Sequence, residues 1–363
     1  MKSGAVHGGA FFGAIGEDFR HLERSRDVIS ADVLDAWFDP SPRVLQALEQ
    51  YLPFLVRASP PVQAEGLLQE ISNARGIPEE SLLLGAGSSS LLFHFLPRLI
   101  DPGSTIVLLD PTYSEYLHLC ENVLDAPVAR CRLDSGKGFK VPVSDLADMC
   151  RDLEPGAVFL VNPNSPTGRL WPRADLLRWL DSVPPATLVL VDETYIDFCR
   201  PSESLESEAV VRPNFLVVKS MSKAYALSGL RAGYLVAHPD TINRLSLYQP
   251  PWPVSLIAQV AAVEALRDPI YYRDRWSETA RLRTAVCESI ARMGGYRVYP
   301  SDANFYLIEC DDAPRVAASL QQQSIFVRDC RSVGSLDGDR FLRIAVKDAE
   351  QNARIEAALE QAL

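Results

Sequence analysis

The chain has no apolar stretch approaching the roughly 18 residues that a membrane-spanning helix needs. No membrane partner is therefore expected. Its opening, Met1-Lys2-Ser3-Gly4-Ala5-Val6-His7, has no long apolar run after the basic residue, so no signal peptide is expected. The seven cysteines are odd in number and form no CxxC or CxxH pair. That excludes a disulfide framework and reads as reduced thiols of a cytoplasmic protein. The five histidines are dispersed, with no HExxH-like pair, and no metal site is expected. Positive charge is also short. Against 47 acidic residues stand 36 basic ones, a net charge of −11. Such a balance argues against nucleic acid as a partner. Any anionic ligand must then be held by a local cluster. Neither repeats nor low-complexity segments occur.

What is present is a long chain with a large apolar share. Its 363 residues are 47% hydrophobic, enough for a sizeable core and roughly two domains. Short apolar runs at 82–84, 105–109, 157–161, 187–191 and 215–219 alternate with helical patterns. Runs without polar alternation predict parallel strands buried on both faces. The expected fold class is α/β: a large domain with a mostly parallel sheet covered by helices, plus a smaller α+β domain. Pro250-Pro251-Trp252-Pro253 marks a boundary. The expected division is an arm over 1–42 that packs on the small domain or the cleft, a large unit over 43–253 and a smaller unit over 254–363. Residues 51–61 read as a Pro-interrupted connector after a helix that opens at Pro42. His7, Glu17 and Asp18 lie on the arm, which is either packed, solvated or in reach of a ligand.

Polar clusters fall at the ends of the apolar runs, at 85–90, 110–113, 162–168, 192–195 and 220–223. Ligands of parallel sheets sit at the carboxyl ends of strands, so these clusters point to one shared site. Lys223 is flanked by Ser220 and Ser222 and followed by Arg231. It is either a solvated loop lysine or the amine that forms a Schiff base with an aldehyde cofactor, with Ser220, Ser222 and Arg231 on the cofactor phosphate. The turn at 85–90, Gly-Ala-Gly-Ser-Ser-Ser, is a phosphate cradle at a helix start or a plain serine cap. Asp192 ends an apolar strand and needs a cationic partner once buried. A protonated pyridine nitrogen or a structural ion pair would serve. Tyr195 could donate to a ring oxygen or pack in the core, and Tyr113 could stack on a flat ring or make an ordinary aromatic contact. Arg343 lies inside the apolar run 341–346, where a charge is costly unless it meets an anion. A substrate carboxylate is the expected anion. Arg328 and Arg331 are weaker candidates, read as loop arginines.

With these residues assembled, the chain resembles the fold type I pyridoxal-phosphate enzymes, and within the class I/II aminotransferases the histidinol-phosphate aminotransferase branch. The resemblance rests on Pro40-Ser41-Pro42-Arg43, the turn 85–90, Asp110-Pro111-Thr112-Tyr113, the segment 162–168, Val191-Asp192-Glu193-Thr194-Tyr195, Ser220-Met221-Ser222-Lys223, Asp302-Ala303-Asn304-Phe305 and Leu342-Arg343-Ile344. It implies pyridoxal 5'-phosphate joined to Lys223, Asp192 on the pyridinium and Tyr195 on the ring oxygen. It implies phosphate contacts from Gly87, Ser88, Ser89, Ser220, Ser222 and Arg231, ring stacking by Tyr113, and substrate carboxylate on Arg343. A homodimer with sites near the interface is also implied.

Four segments depart from that pattern. Ser165 stands where the family has the asparagine that bonds the ring oxygen, with Asn164 one residue earlier, so both remain candidates. The stretch Trp37-Phe38-Asp39 replaces the branch's Asn-Glu-Asn, which makes Trp37 a candidate substrate contact alongside Arg343 and Arg328. Val56-Arg57-Ala58-Ser59 replaces a segment whose tyrosine reaches the partner's cofactor, and the phosphate turn lacks its asparagine and acidic residues. The cofactor chemistry is intact and the substrate-facing parts are altered, so a substrate other than histidinol phosphate is expected. The expected activity is transamination at the α-carbon of an amino acid. Elimination, cyclisation or replacement on the same cofactor is the alternative, and a non-catalytic cofactor-binding protein a remote one.

Overall fold

The computed structural model describes residues 8–336 and 339–363. His7 lies outside them. Strand β1 (Ile29–Ala31) comes first. The larger sheet then takes β2 (Leu82–Gly85), β3 (Ile106–Asp110), β4 (Val128–Arg132), β5 (Ala157–Val161), β6 (Leu188–Asp192), β7 (Phe215–Ser220) and β8 (Gly233–Ala237). Their spatial order is β2-β8-β7-β6-β5-β3-β4. Only β8 runs against its neighbours. Alternate residues feed two cores: Val107, Val158 and Val189 face one side, Leu108, Phe159 and Leu190 the other. Both faces are covered, which is why these strands read as continuous apolar runs.

The second sheet is assembled from β9 (Arg297–Val298), β10 (Phe305–Glu309), β11 (Ile325–Asp329) and β12 (Phe341–Ala345), with β1 added parallel to β11 at its edge. Its order is β1-β11-β12-β10-β9. Strand β11 is a correction to the sequence reading. Arg328 is not a loop arginine but a strand residue in register with Arg343. Its charge next to Asp329 masked a β-branched run that pairs on both edges.

Two helical expectations also change. The helix from Pro42 does not stop before residue 51 but runs Pro42–Arg57, straight through Pro53. A proline costs one backbone bond inside a helix. Here the carbonyl that loses its donor belongs to Glu49, an exposed residue where solvent can satisfy it, while buried Leu55 anchors the last turn. Residues after β7 are not a loose polar break. Ser220 Oγ accepts from Ser222 N–H at 3.2 Å and caps a short helix, Met221–Ala224, that presents Lys223. The helix Leu256–Leu266 packs on Pro42–Arg57 and Glu65–Arg75, and Pro269–Met293 carries the chain on to the second sheet.

Beneath the strand ends lies a buried ionic cluster. Lys219 Nζ meets Glu193 at 3.3 Å, Glu206 at 3.7 Å and Asp197 at 3.8 Å. Arg75 grips Asp197 with two bonds of 2.9 and 3.1 Å. The cluster ties β7 to the turn that follows β6, and so fixes the backbone between Asp192 and Tyr195. Removing one partner of such a group leaves buried carboxylates uncompensated. Lys219→Met is expected to destabilise the fold by about 3 kcal/mol. The measurement is the urea midpoint, which should fall while the slope of the transition stays unchanged.

Candidate active site

Strand register brings the polar ends of the larger sheet into one row. Gly85 pairs with Gly233, Gly233 with Ser220, and Asp192 with Val161. The turns that leave these strands therefore meet at one edge. The turn after β2 starts the helix Ser88–Phe95 without a side-chain cap, so its first N–H groups are available to an anion. Gly87 has φ +85° there, and a Cβ on it would stand 2.7 Å from the Arg231 guanidinium. Arg231 reaches Ser222 Oγ at 3.1 Å. Gly87, Ser88, Ser220, Ser222 and Arg231 thus meet at a small polar cradle that carries the Arg231 charge, and Ser89 follows Ser88 in the first turn of the helix.

Beside it a cavity of about 150 Å³ opens between the two sheets. Tyr113, Ser165, Tyr195 and Lys223 line it from the larger sheet, and Asp32, Leu34, Arg328 and Arg343 from the smaller one. Arg343 donates to Ser165 Oγ at 3.0 Å and to the Asp32 carbonyl at 2.8 Å. Its Nε is buried with no partner. Lys223 Nζ is 2.7 Å from Asp35. Burial pushes the Lys223 ammonium below the usual lysine range, Asp35 resists, and Arg343 and Arg231 add to the depression. Burial raises the Asp35 carboxyl, but Lys223 outweighs it and holds the group below the usual carboxylate range.

Asp192 is 4% exposed. It accepts from Tyr116 Oη at 2.9 Å, from Thr194 N–H at 2.9 Å and from Thr194 Oγ1 at 2.6 Å. Among the described residues no basic side chain pairs with it. Burial raises its carboxyl above the usual range, with the Thr194 and Tyr116 bonds resisting. This is a site made for a cation that the chain itself does not supply. Tyr195 meets Phe305 edge-on at 5.0 Å, and burial raises its hydroxyl. Tyr113 donates to Glu115 at 2.8 Å and keeps its ring on the cavity wall.

Two candidate residues stand away from the cavity. The Asn164 carboxamide accepts from Thr112 Oγ1 at 3.0 Å and donates to the Pro111 carbonyl at 3.0 Å and to Thr167. It buckles the turn that carries Tyr113, so of the two neighbours it is Ser165 that faces the cavity. Trp37 does not line the cavity either. Its Nε1 donates to Thr279 at 2.8 Å on the long helix, and Arg275 covers its ring. A large apolar ring beside a helix buries more surface there than at a polar cleft. Arg331 pairs with Asp329 outside the cavity. The residues that sequence reasoning missed are Asp32, Asp35 and Tyr116. The signal for the first two was on hand: carboxylates inside the apolar stretch 28–38 need partners.

The chemistry of these groups fits a phosphorylated, cationic ring carrying an aldehyde. The cradle suits its phosphate, Asp192 its ring nitrogen and Lys223 its carbonyl carbon. The comparisons agree. The histidinol-phosphate aminotransferase of Moorella thermoacetica is 33% identical over 352 residues, spanning 93% of this chain and 86% of its own length. That of Symbiobacterium thermophilum is 30% identical over 353 residues, spanning 96% and 94%. Among solved structures, histidinol-phosphate aminotransferase from Sinorhizobium meliloti in complex with pyridoxal-5'-phosphate superposes with a TM-score of 0.87 at 21% identity, over 99% of this chain and 95% of that one. L-threonine-O-3-phosphate decarboxylase from Porphyromonas gingivalis gives 0.81 at 23%, over 92% and 99%. At those identities the superpositions show a common fold alone. The family model for aminotransferase class I and II matches residues 35–359. It begins at Asp35, the partner of Lys223, and runs through both sheets, and on that span the chain belongs to the class I and II aminotransferases.

Proposed function

We propose that this chain is a pyridoxal-phosphate-dependent aminotransferase acting on the amino group at the α-carbon of an amino acid. The observation that carries the reading is Asp192, a fully buried carboxylate with three hydrogen bonds and no basic partner among the described residues, one strand away from the lysine. When bound, the cofactor supplies an aldehyde for the lysine amine and, through its ring nitrogen, an electron sink for the bond that breaks at the α-carbon. The chain does the rest. Gly87, Ser88, Ser89, Ser220, Ser222 and Arg231 bind the phosphate. Tyr113 and Tyr195 hold the ring, with Ser165 rather than Asn164 near its oxygen. Arg343 takes the substrate carboxylate, to which its unpartnered Nε can donate, and Arg328 stands beside it. Lys223 Nζ, once free of the cofactor, would hold and move the α-proton.

An absorbance scan of the purified protein is the first test. A visible band that disappears in Lys223→Ala supports the reading, and the lack of any band in the parent overturns the cofactor assignment. Amino acids are then screened for conversion of the cofactor to its amine form. Turnover without that form and without a keto-acid acceptor would replace transamination by elimination, cyclisation or replacement. Arg343→Gln is expected to raise KM for the amino acid about 30-fold with a smaller change in kcat, because a charge-assisted bond is lost.

The same reading includes a homodimer. Leu45, Tyr51, Leu52, Phe54 and Val56 on the helix Pro42–Arg57, with Trp252 beside Val62, leave an apolar surface exposed that a second copy would cover. Light scattering gives the mass. All seven cysteines are unpaired, which supports the cytoplasm as the compartment. No helix among the described residues is long and apolar enough to cross a membrane.

A further inference from the structure

The chain uses arginine for almost all of its positive charge. It has 30 arginines and six lysines. Arginine keeps its charge in any environment, whereas lysine can shed its proton when buried. A buried lysine in such a chain is therefore informative. Lys219 belongs to the ionic cluster and Lys223 faces the cavity. The third is Lys347, 6% exposed, just beyond the end of β12. Its Nζ closes no hydrogen bond or ion pair among the described residues.

The backbone fixes where Lys347 stands. Val346 N–H donates to the Asn304 carbonyl at 2.8 Å, and Asn304 Nδ2 donates to the Leu34 carbonyl at 2.9 Å. Asn352 then pins the Lys347 peptide from both sides, at 3.0 and 2.6 Å. Lys347 is thereby set next to the segment that holds Asp35. The charged groups facing it are Asp35, Asp32, Lys223 and Asp348. Those facing Lys223 are Asp35, Arg343, Arg231 and Lys347 itself. Asp35 and Arg343 also face Tyr195. Asp35 is thus ion-paired with Lys223 and lies within electrostatic range of Lys347, with which it makes no direct ion pair.

We propose that Lys347 is a positioning residue for Lys223: the two amines share Asp35, and Lys347 takes over that carboxylate as its ammonium counter-ion whenever Lys223 gives up its proton. The inference rests on Lys223 being the amine that joins the cofactor. An ammonium group cannot attack an aldehyde or accept an α-proton. Asp35 alone would favour the ammonium form of Lys223 and so oppose the chemistry. A second amine beside the same carboxylate removes that penalty, because one proton then serves whichever lysine is idle. Burial pushes Lys347 down to about 8, against the pull of Asp35 and Asp32. It can therefore change charge within the working range, which an arginine there could not.

The test reads the Lys223 amine directly, in the cofactor-free full-length chain. A short pulse of isotope-labelled acetic anhydride is applied at roughly pH 6 to 10, and acetylation at Lys223 is followed by peptide mass spectrometry, with the lysines at 137 and 140 as references. Lys347→Met removes a neighbouring positive charge, so the pH of half-reaction at Lys223 should rise by about one unit. Lys347→Arg keeps the charge and should leave that pH where it is or lower it. An unchanged or lowered value in Lys347→Met overturns the proposal. So does an equal rise in both variants, which would mark a packing effect. If Lys347→Met does not fold by circular dichroism, Lys347→Gln replaces it with the same expected rise. Because no cofactor is present, this result stands apart from the cofactor assignment, which the absorbance scan decides.

Discussion

Lys223→Ala is expected to lower turnover by at least about 10⁴-fold, with little change in melting temperature. Among the described residues Lys223 is the one lysine that lines the cavity, and the proposed function gives it both the nucleophilic and the proton-transfer duties. The fold does not depend on its side chain. The short helix that presents it is capped by Ser220 and held by Trp276, whose Nε1 donates to the Ala224 carbonyl at 2.8 Å. Truncation removes the 2.7 Å ion partner of Asp35, but that side chain is 40% exposed, so water and the neighbouring Lys347 can compensate it. The cost is therefore below about 1 kcal/mol. A drop in turnover that came with an equal loss of folded protein would contradict this account. A variant that kept its turnover would remove Lys223 from the mechanism altogether.

Asp192→Asn is expected to lower turnover about 10³-fold and at the same time to stabilise the cofactor-free protein. The two effects share one cause. The native carboxyl is raised above its unfolded value, so the protonated form is favoured in the fold. Below about pH 4 both states are protonated and nothing is lost. As the pH rises past the unfolded value, the unfolded chain ionises freely while the native one resists, and stability falls until the raised native value is passed. An asparagine has no charge to bury. The cofactor-free variant should thus melt higher than the parent at about pH 8 and equally near pH 4. In the loaded enzyme the order reverses, because the ring nitrogen compensates the aspartate and not the asparagine. Thermal melts of both proteins, with and without cofactor, check all four cases. Equal melting at about pH 8 without cofactor would mean that the carboxylate already has a partner.

The cradle and the cavity explain why one arrangement of strands serves this chemistry. Gly233 is in register with both Gly85 and Ser220. A Cβ on Gly233 would stand 2.8 Å from the Lys219 carbonyl and from Ser88 N, so the close approach of the two turns requires glycine there. The proposed phosphate end is thus set by the backbone of the larger sheet. The proposed substrate end is lined by side chains from the second sheet, Arg328 and Arg343, and Arg343 meets the larger-sheet side through Ser165. That division fits a cofactor end that keeps to the family pattern and a substrate end that departs from it.

By itself the sequence determined the larger sheet, because strands buried on both faces leave continuous apolar runs. It also pointed to the places of the lysine, the aspartate and the glycine-serine turn, since each lies next to the strand end that positions it. Local spacing carries that information. What lies between distant segments was decided only by tertiary structure. Pro53 looked like a helix end until exposed Glu49 showed that water could replace the missing bond. Asn164 and Trp37 looked available until Thr112 and Thr279 claimed them. The ion pair of Lys223 with Asp35 joins segments 188 residues apart. Periodicity cannot show such a contact, because hydrogen bonds and charge pairing act over a few ångströms of space whatever the distance along the chain.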